Sequence, residues 1–334
     1  MKNNKLLEIK DLRTTFVSKG VRTQAVRGVS VSVDEGDILG IVGESGSGKS
    51  VLMKTVIGIL PENADIESGS IVFEEKELTK LSKKELQKLQ GKEVAMVFQD
   101  PMTALNPLRK IGRQVEEILI RHRHLSKSQA KIEAINLLRK VGIPSPEKRV
   151  DQYPHEFSGG MRQRVLISMA LACNPKLLIA DEPTTALDGT IQAQILELLK
   201  EIQKQSGMSI ILITHDLGVV ANMCNRIVVM YGGMVMEEGT TDQIFYSPKH
   251  PYTRALLHAI PKLDSDNKER LEPIPGMAPS LVDPPKGCAF AARCTYATER
   301  CKNELPPFRE FNNSQQSRCF YTFDLSGNVI DEEA

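Results

Sequence analysis

The sequence has almost no net charge, because its 334 residues include 43 lysines and arginines against 42 aspartates and glutamates, for a formal charge of +1. Proteins that bind nucleic acids generally show a basic excess on one face, so we expect no nucleic-acid partner. Two local basic runs, at 80–92 and 121–124, are typical of solvated helix faces.

Long apolar stretches are also absent from the sequence. No run approaches the roughly 18 residues that a membrane span needs. The N-terminal MKNNKLLEIKDLRTTF lacks the apolar core of a signal peptide. We therefore expect a cytoplasmic protein without membrane spans. Because glutathione keeps thiols reduced in the cytoplasm, clustered cysteines there indicate metal before disulfide.

What the sequence contains instead is a series of short, fully apolar runs separated by amphipathic helices. Residues 37–60 predict a buried strand, a glycine loop and a helix closed by Pro61. Further apolar runs follow at 176–180 and 209–214, and the segment between them has apolar residues at helical spacing before Gly207. This alternation predicts an α/β fold with a parallel sheet covered on both faces.

Two regions depart from this alternation. Residues 103–157 are polar, helical in pattern and free of apolar strand runs, which predicts a helical insert. After about residue 262 the periodicity fades into the proline-rich PIPGMAPSLVDPPKG, and a cysteine-rich tail follows. We predict one domain over 1–262, with a helical subdomain at about 103–165, and a C-terminal extension over 263–334.

The segment GESGSGKS at 43–50 fits the phosphate-binding pattern G-x-x-x-x-G-K-[ST] between a predicted strand and helix. Backbone amides of such a loop wrap phosphate oxygens, and the helix N-terminus adds partial positive charge. Lys49 would reach the β- and γ-phosphates of ATP, and Ser50 would ligate Mg²⁺. The predicted nucleotide-binding residues are Gly43, Glu44, Ser45, Gly46, Ser47, Gly48, Lys49 and Ser50, with the adjoining position 51.

Two carboxylates follow the apolar run at 176–180, in LLIADEP. Asp181 is placed to hold Mg²⁺ through water, and Glu182 to polarise the attacking water. Adjacent carboxylates after a strand more often form a solvated turn. Together with a phosphate loop they favour phosphoryl transfer, which needs both a metal site and an oriented water.

The segment FSGGMRQR at 157–164 resembles the L-S-G-G-Q signature of the ATP-binding-cassette (ABC) ATPases. Phe157 and Met161 make it a variant, whereas Ser158, Gly159 and Gly160 keep the phosphate-handling core. In that family the signature faces the γ-phosphate bound by another subunit. The resemblance implies a P-loop NTPase of the ABC type, whose mainly parallel sheet is joined by an N-terminal antiparallel β portion.

Other segments extend the resemblance from residue 5 to about 245. Gln99 in VAMVFQDP matches the Q-loop glutamine, which contacts Mg²⁺ or the lytic water. Asp188 in TTALD matches the D-loop and would act across a dimer interface. His215 in ILITHD matches the switch histidine that contacts the γ-phosphate. Phe16 matches the aromatic residue that stacks on adenine, and its alternative is a core residue of an antiparallel strand.

The tail resembles the C-terminal region of the oligopeptide/dipeptide importer ATPases, a group that includes nickel importers, through YSPKHPYTRALLHAIP and PIPGMAPSLVDPPKGCAFAARC. That family implies two ATPase subunits, identical or paralogous, beneath two membrane permease subunits at the cytoplasmic face of the membrane. An extracellular substrate-binding protein feeds the permeases. The helical insert would dock a permease helix, or else serve only as a stabilising subdomain.

Four cysteines of the tail have the spacing C-x₅-C-x₆-C-x₁₇-C: Cys288, Cys294, Cys301 and Cys319. Four thiolates suit tetrahedral zinc or a [4Fe–4S] cluster, and unligated thiols are the third alternative. The family resemblance favours the cluster, which some dipeptide-importer ATPases carry on a matching cysteine set. We expect the other two cysteines, Cys173 and Cys224, to be buried small residues.

Overall fold

The structure is a computed structural model that describes residues 5–185, 187–259, 274–311, 314–324 and 329–332. The predicted boundary between a domain over 1–262 and an extension over 263–334 lies outside the described residues. That division and the helical subdomain at 103–165 therefore stay predictions.

The described elements come in chain order as follows. The strands are β1 (Lys5–Ser18), β2 (Val21–Asp34), β3 (Ile38–Val42), β4 (Ala64–Phe73), β5 (Lys76–Glu77), β6 (Val94–Val97), β7 (Leu177–Asp181), β8 (Ser209–Thr214), β9 (Arg226–Tyr231), β10 (Met234–Thr240), β11 (Arg309–Glu310), β12 (Gln316–Ser317), β13 (Tyr321–Phe323) and β14 (Val329–Glu332). The helices are α1 (Lys49–Val56), α2 (Lys83–Leu89), α3 (Pro101–Ala104), α4 (Ile111–Arg123), α5 (Lys127–Lys140), α6 (Pro146–Arg149), α7 (Gly159–Ala170), α8 (Gly189–Ser206), α9 (Leu217–Met223), α10 (Thr241–Tyr246), α11 (Pro251–His258) and α12 (Glu299–Asn303). Short 3₁₀ turns lie at Leu78–Lys80, Pro154–Glu156 and Ala291–Arg293.

The chain divides into two compact units, and the first is built mainly from Val33–Ile38 and Lys80–Ile213. Its strands β6, β7 and β8 pair in parallel, in that order. Every residue of β7 and β8 is buried, as expected of parallel strands covered on both faces. The apolar runs predicted to be strands are therefore confirmed.

The helical region of this unit has a small core of its own. Helices α4 and α5 pack through buried aliphatic side chains, and the cluster consists of Val115, Leu119, Ala130, Ala134, Leu137 and Ala172. Ser126 begins α5 with a capping box, in which its hydroxyl and the Gln129 side chain satisfy each other's backbone amides. The helices predicted within 103–157 are thus present.

The second unit takes in Leu7–Ser32, Leu39–Thr79 and the residues from Thr214 onward. One sheet has the strand order β2-β1-β4-β5, and β1 is antiparallel to β4. In the other set β3 pairs in parallel with β9, and β10, β12 and β11 continue antiparallel from β9. The expected antiparallel β portion near the N-terminus is confirmed.

Two helix ends test the predicted boundaries. Helix α8 ends at Ser206, and Gly207 follows with φ of 70°, which confirms the predicted stop. Helix α1 ends at Val56, four residues short of the predicted end at Leu60. The cause is Gly58, whose φ of 67° cannot continue a right-handed helix.

None of the helices in the described residues is long and apolar enough to span a membrane.

Candidate functional site

The glycines of the phosphate loop permit a backbone path that other residues would block. Gly43 has a φ of 153°, and a Cβ atom there would lie 2.1 Å from the Met230 carbonyl oxygen. Gly48 has a φ of 97°, and its Cβ would lie 2.4 Å from the Ala25 carbonyl oxygen. Both positions therefore require glycine.

Lys49 lies at the first turn of α1 and folds back over the loop. Its ammonium donates hydrogen bonds to the carbonyl oxygens of Gly43 (2.7 Å) and Glu44 (2.9 Å) and to the Ser47 hydroxyl (3.3 Å). Its side chain is buried. The loop thus holds a single cation over its own concave face, beside the amides of a helix N-terminus, which is the arrangement of a phosphate site.

Glu182 follows directly after β7 and has an unusual backbone conformation. Its φ is 47°, which is rare for a residue other than glycine and costs on the order of 1–3 kcal/mol. Its carboxylate accepts hydrogen bonds from the Gln99 amide (2.7 Å) and the Thr185 hydroxyl (2.8 Å). Strain of this kind clusters at functional sites, and here it turns the carboxylate of Glu182 toward Gln99.

The structure places the other predicted residues of phosphate chemistry at the ends of strands. Asp181 is the last residue of β7 and is buried, whereas His215 follows β8 and is exposed. Gln99 and Glu182 are brought together within the first unit, and the phosphate loop is formed within the second. Phe16 lies on β1 opposite Ala64 and is half-buried.

The signature segment forms an exposed helix start. Ser158 caps α7 by accepting a hydrogen bond from the Met161 amide (3.4 Å), and both Ser158 and Gly159 are exposed. A Cβ at Gly160 would come within 2.6 Å of the Ile191 side chain, so glycine is needed at this position. Asp188 caps α8 in the same way, through the Ile191 amide at 3.1 Å.

The four tail cysteines line one cavity of about 20 Å³, together with aromatic and proline side chains and His250. Burial, with a smaller contribution from neighbouring cysteines, raises the pKa of Cys288 and Cys319 to about 12 and that of Cys294 to about 11. These thiols are therefore neutral at physiological pH when nothing binds them.

His250 is a second unusual group in the lining of this cavity. Burial lowers its pKa to about 3, so the imidazole is neutral. Its Nδ1 accepts a hydrogen bond from the Tyr252 amide at 3.0 Å, which leaves the proton on Nε2. Among the described residues, that buried Nε2 makes no hydrogen bond of good geometry, and only a weaker interaction with the Arg318 backbone remains.

The two cysteines outside the tail were expected to be buried. Cys224 is buried, as predicted, at the end of α9. Cys173 is only partly buried, so that expectation was wrong. It lies in the turn between α7 and β7, where the chain comes to the surface.

Comparison with protein-family models gives two matches. Residues 26–185 match the model described as ABC transporter, and residues 236–301 match the one described as oligopeptide/dipeptide transporter, C-terminal region. The chain is also 57% identical to the oligopeptide transport ATP-binding protein OppD of Bacillus subtilis, over 91% of this chain and 85% of that protein. The chain belongs to the ABC transporter family of ATP-binding proteins.

Other relatives of this ABC protein match with similar coverage. The dipeptide transport ATP-binding proteins DppD of Bacillus subtilis and Escherichia coli are 50% and 48% identical over 95% and 96% of this chain, and over 94% and 98% of their own lengths. Among solved structures, the cassette MJ0796 as a dimer in a post-hydrolysis state with ADP and Pi matches with a TM-score of 0.64 and 28% identity, covering 70% of this chain and 98% of that one. The expected cassette fold is therefore confirmed.

Sequence reasoning missed several contacts of this ABC protein. Thr185 supports Glu182, and Tyr252 and Arg293 hold Glu44 of the phosphate loop. Arg293 is 249 positions from Glu44, and no pattern in the sequence pairs the two. For Tyr252 the sequence does carry a signal, which is its place in HPYTRALL, part of the segment that resembles the importer ATPases.

Proposed function

We propose that this chain is the ATP-hydrolysing subunit of a peptide importer. The observation that carries the proposal is that cassette and peptide-transporter C-terminal matches lie on one chain, with relatives named for oligopeptide and dipeptide transport matching over nine-tenths of it. In such a complex two ATPase subunits lie beneath two permease subunits at the cytoplasmic face of the membrane. An extracellular binding protein delivers the substrate.

The test is ATP-dependent uptake into vesicles that hold the two permease subunits, the binding protein and this chain. Uptake of labelled di- or oligopeptide that is lost in Lys49→Ala supports the proposal. Uptake of Ni²⁺ without peptide would assign the nickel-importer role instead. No uptake, with ATP hydrolysis stimulated by DNA or ribosomes, would overturn the transport function.

In the proposed mechanism the phosphate loop exchanges its internal contacts for ATP. Lys49 now bonds two carbonyls and a hydroxyl, and phosphate oxygens would offer it stronger, charge-assisted bonds. Ser50 and Asp181 would hold the Mg²⁺ that accompanies ATP and neutralises its phosphates. Phe16, half-buried on β1, would stack on adenine, an interaction worth about 1–3 kcal/mol.

Glu182 would orient and polarise the attacking water. Its bond to Gln99 keeps the carboxylate in one orientation, and the Gln99 amide would also contact the water or the metal. His215, exposed after β8, would donate a hydrogen bond to the γ-phosphate. These roles match what phosphoryl transfer needs, which is positioning and stabilisation of charge.

A second ATPase subunit, identical or paralogous, would complete each site. The exposed start of α7 at Ser158 and Gly159 offers a hydroxyl and helix amides that suit the γ-phosphate held by the partner. Asp188 would act across the same interface. ATP binding would then close the pair and hydrolysis would release it, which is the motion that drives the permeases.

For the tail we propose a [4Fe–4S] cluster on Cys288, Cys294, Cys301 and Cys319. Its support is the cavity that the four thiols share, which buried His250 also lines. Among the described residues, no three or more His, Cys, Asp or Glu side chains form a group that could hold a metal ion, so the cavity would have to rearrange around zinc or a cluster alike. The resemblance to dipeptide-importer ATPases, some of which carry a cluster on a matching cysteine set, favours [4Fe–4S] over zinc.

When bound, the cluster would supply a covalent cross-link of the tail and a redox-active group. The thiols would ligate it as thiolates, so binding would release protons and would work against the burial that keeps them neutral. The first measurement is iron, sulfide and zinc content on protein purified without oxygen. About four irons and four sulfides per chain would support the cluster. One zinc without iron would assign a zinc site instead, and the absence of any metal would overturn the proposal of a metal site.

A further inference from the structure

Arg293 links the cysteine-rich tail to the phosphate loop. It ends the 3₁₀ turn Ala291–Arg293, directly before Cys294. Its guanidinium Nη1 donates to the Glu44 carboxylate at 2.7 Å, and the two side chains are 6% and 29% exposed. A charge-assisted bond so well shielded from water is among the stronger kinds of hydrogen bond.

The guanidinium is fixed by several partners besides Glu44. Nε donates to the Pro275 carbonyl and Nη2 to the Ile274 carbonyl, both at 2.9 Å, and Nη1 also donates to the Tyr231 hydroxyl at 3.0 Å. The aromatic ring of Tyr231 has its centroid 5.6 Å from the guanidinium carbon. Because all three guanidinium nitrogens of Arg293 donate hydrogen bonds, the side chain has one orientation. A lysine, with a single ammonium group, could not make the same set of bonds.

Glu44 is also held through its backbone. Its amide donates to the Tyr252 hydroxyl at 2.9 Å. Tyr252 is fully buried and packs against Tyr231 and Phe290, with ring centroids 4.5 and 5.2 Å away. The backbone and the side chain of Glu44 are therefore fixed by residues from the end of β9, from α11 and from the tail.

The position of Glu44 determines the geometry of the phosphate site. Its carbonyl accepts a hydrogen bond from the Lys49 ammonium, and it follows Gly43, whose backbone is packed against Met230. A displacement of Glu44 would move the lysine and the loop amides together. In sites of this kind small errors of position are costly, because binding relies on preorganised donors.

We propose that Arg293 is a positioning residue for ATP binding, which holds Glu44 and makes the affinity of the phosphate loop depend on the packing of the cysteine-rich tail. The proposal rests on the proposed function, since it assumes that this loop binds ATP. It assigns to the tail a role at the nucleotide site itself.

The test measures ATP affinity, by titration with a fluorescent ATP analogue, and hydrolysis kinetics on the full-length chain. Arg293→Gln should weaken binding roughly 10-fold or more, the loss expected for one hydrogen bond between charged groups. At saturating ATP, kcat should stay within about twofold of wild type, because the Arg293–Glu44 contact is present in both the ATP-bound ground state and the transition state. Arg293→Lys should lie between wild type and Arg293→Gln, since it keeps the charge without the fork.

The matched control is Arg318→Gln. Arg318 precedes Cys319 as Arg293 precedes Cys294, and it is likewise partly buried, but it donates to the Val235 and Pro306 carbonyls and not to the phosphate loop. Its loss should lower the Tm and leave ATP affinity unchanged. If Arg318→Gln weakens ATP binding as much as Arg293→Gln does, Arg293 is only structural and the proposal is overturned.

Glu44→Gln tests the same bond from the loop side and needs no change in the tail, which covers the case in which Arg293→Gln fails to fold. It should weaken ATP binding by a similar factor, and the double variant should add little to either single one. Unchanged affinity in both single variants, or in Glu44→Gln alone if the other does not fold, would overturn the proposal. Wild-type protein that does not bind ATP would instead overturn the proposed function.

Discussion

The phosphate loop and the cysteine segment, defined here as residues 288–319, lie in one compact unit but are held in different ways. The loop runs between a buried strand and a helix, and its lysine already has three oxygen partners. The described part of the cysteine segment has only short turns, short strands and the five-residue helix α12 around a cavity. Its lining contains Cys288, Cys294 and Cys319, whose pKa values are raised by burial, and the buried, neutral imidazole of His250.

One site is organised before its ligand arrives, whereas the other would be organised by its ligand if it holds the proposed cluster. Glycine backbone angles and strand–helix packing fix the loop without ATP. The cysteine segment has little regular structure of its own, and a bound metal group would supply the cross-links that it lacks, as in other small metal-supported folds. The two regions should therefore respond differently to substitution.

The largest expected effect is on chemistry at the nucleotide. Glu182→Gln should lower kcat for ATP hydrolysis by about 10²–10⁴-fold, because it would remove the proposed general base, while ATP binding and metal content stay unchanged. An ATP-bound dimer should accumulate and be seen by size-exclusion chromatography with ATP. Unchanged hydrolysis would contradict the assignment of the base. Thr185→Val, which removes one bond to Glu182, should have a much smaller effect on kcat.

The next effect concerns the cysteine segment. Cys319→Ser should lose most of its iron and destabilise the tail, since metal-binding free energy is also folding free energy. Metal analysis and thermal unfolding on anaerobically purified protein measure both. Cys173→Ser is the matched control, because that thiol lies outside the cavity, and it should keep the metal. Equal iron in both variants would contradict the proposed ligands.

The strands, the phosphate loop and the capped helices could be predicted because each depends on residues close together in the chain. Apolar runs such as 209–214 determine buried strands, and the glycine pattern at 43–50 determines a loop that no other residues could form. The early end of α1 was missed because Gly58 lies within an otherwise apolar helical pattern. The positive φ of Gly58 ends the helix even though the apolar pattern continues.

Contacts between distant segments could not be predicted in the same way. The bond of Arg293 to Glu44 depends on how the tail folds back onto β9, and spacing in the sequence carries no information about it. The four cysteines were recognisable as a set, but their shared cavity and the buried His250 in its lining required the fold. Burial and neighbouring charge, which produce the shifted pKa values, are properties of packing.

A third prediction separates glycines within the phosphate loop. Gly48→Ala should abolish ATP binding or weaken it at least about 10-fold, because its Cβ would meet the Ala25 carbonyl oxygen at 2.4 Å, and the backbone angle adds about 1–2 kcal/mol of strain. Gly46 has a similar φ of 77°, but a Cβ atom there would have no other atom within 4 Å. Gly46→Ala should therefore add backbone strain without a steric clash. Nucleotide titration measures the two. Equal losses would show that crowding at Gly48 does not control the site.

The last expected effect is a pH dependence of the stability, which arises at His250 in the cysteine cavity. The pKa of His250 is lowered to about 3 by burial, so the unfolded chain takes up a proton below pH 6.5 that the folded chain does not. Folding stability contributed by the neutral imidazole is therefore present above pH 6.5 and is lost as pH falls toward 3. The loss approaches about 1.4 kcal/mol per pH unit.

Comparison with His250→Gln isolates this contribution. Glu237 accepts a hydrogen bond from the His250 amide, and burial raises its pKa. Above the ordinary pKa of a glutamate, Glu237 therefore makes the folding stability fall as the pH rises, which is opposite in sign to the effect of His250. That slope is common to both proteins and cancels in the difference. Urea unfolding between pH 4 and 7 should show the stability of wild type falling relative to His250→Gln as the pH is lowered. Parallel curves would mean that His250 is protonated in the folded protein, and that the cavity is more open to water than its packing indicates.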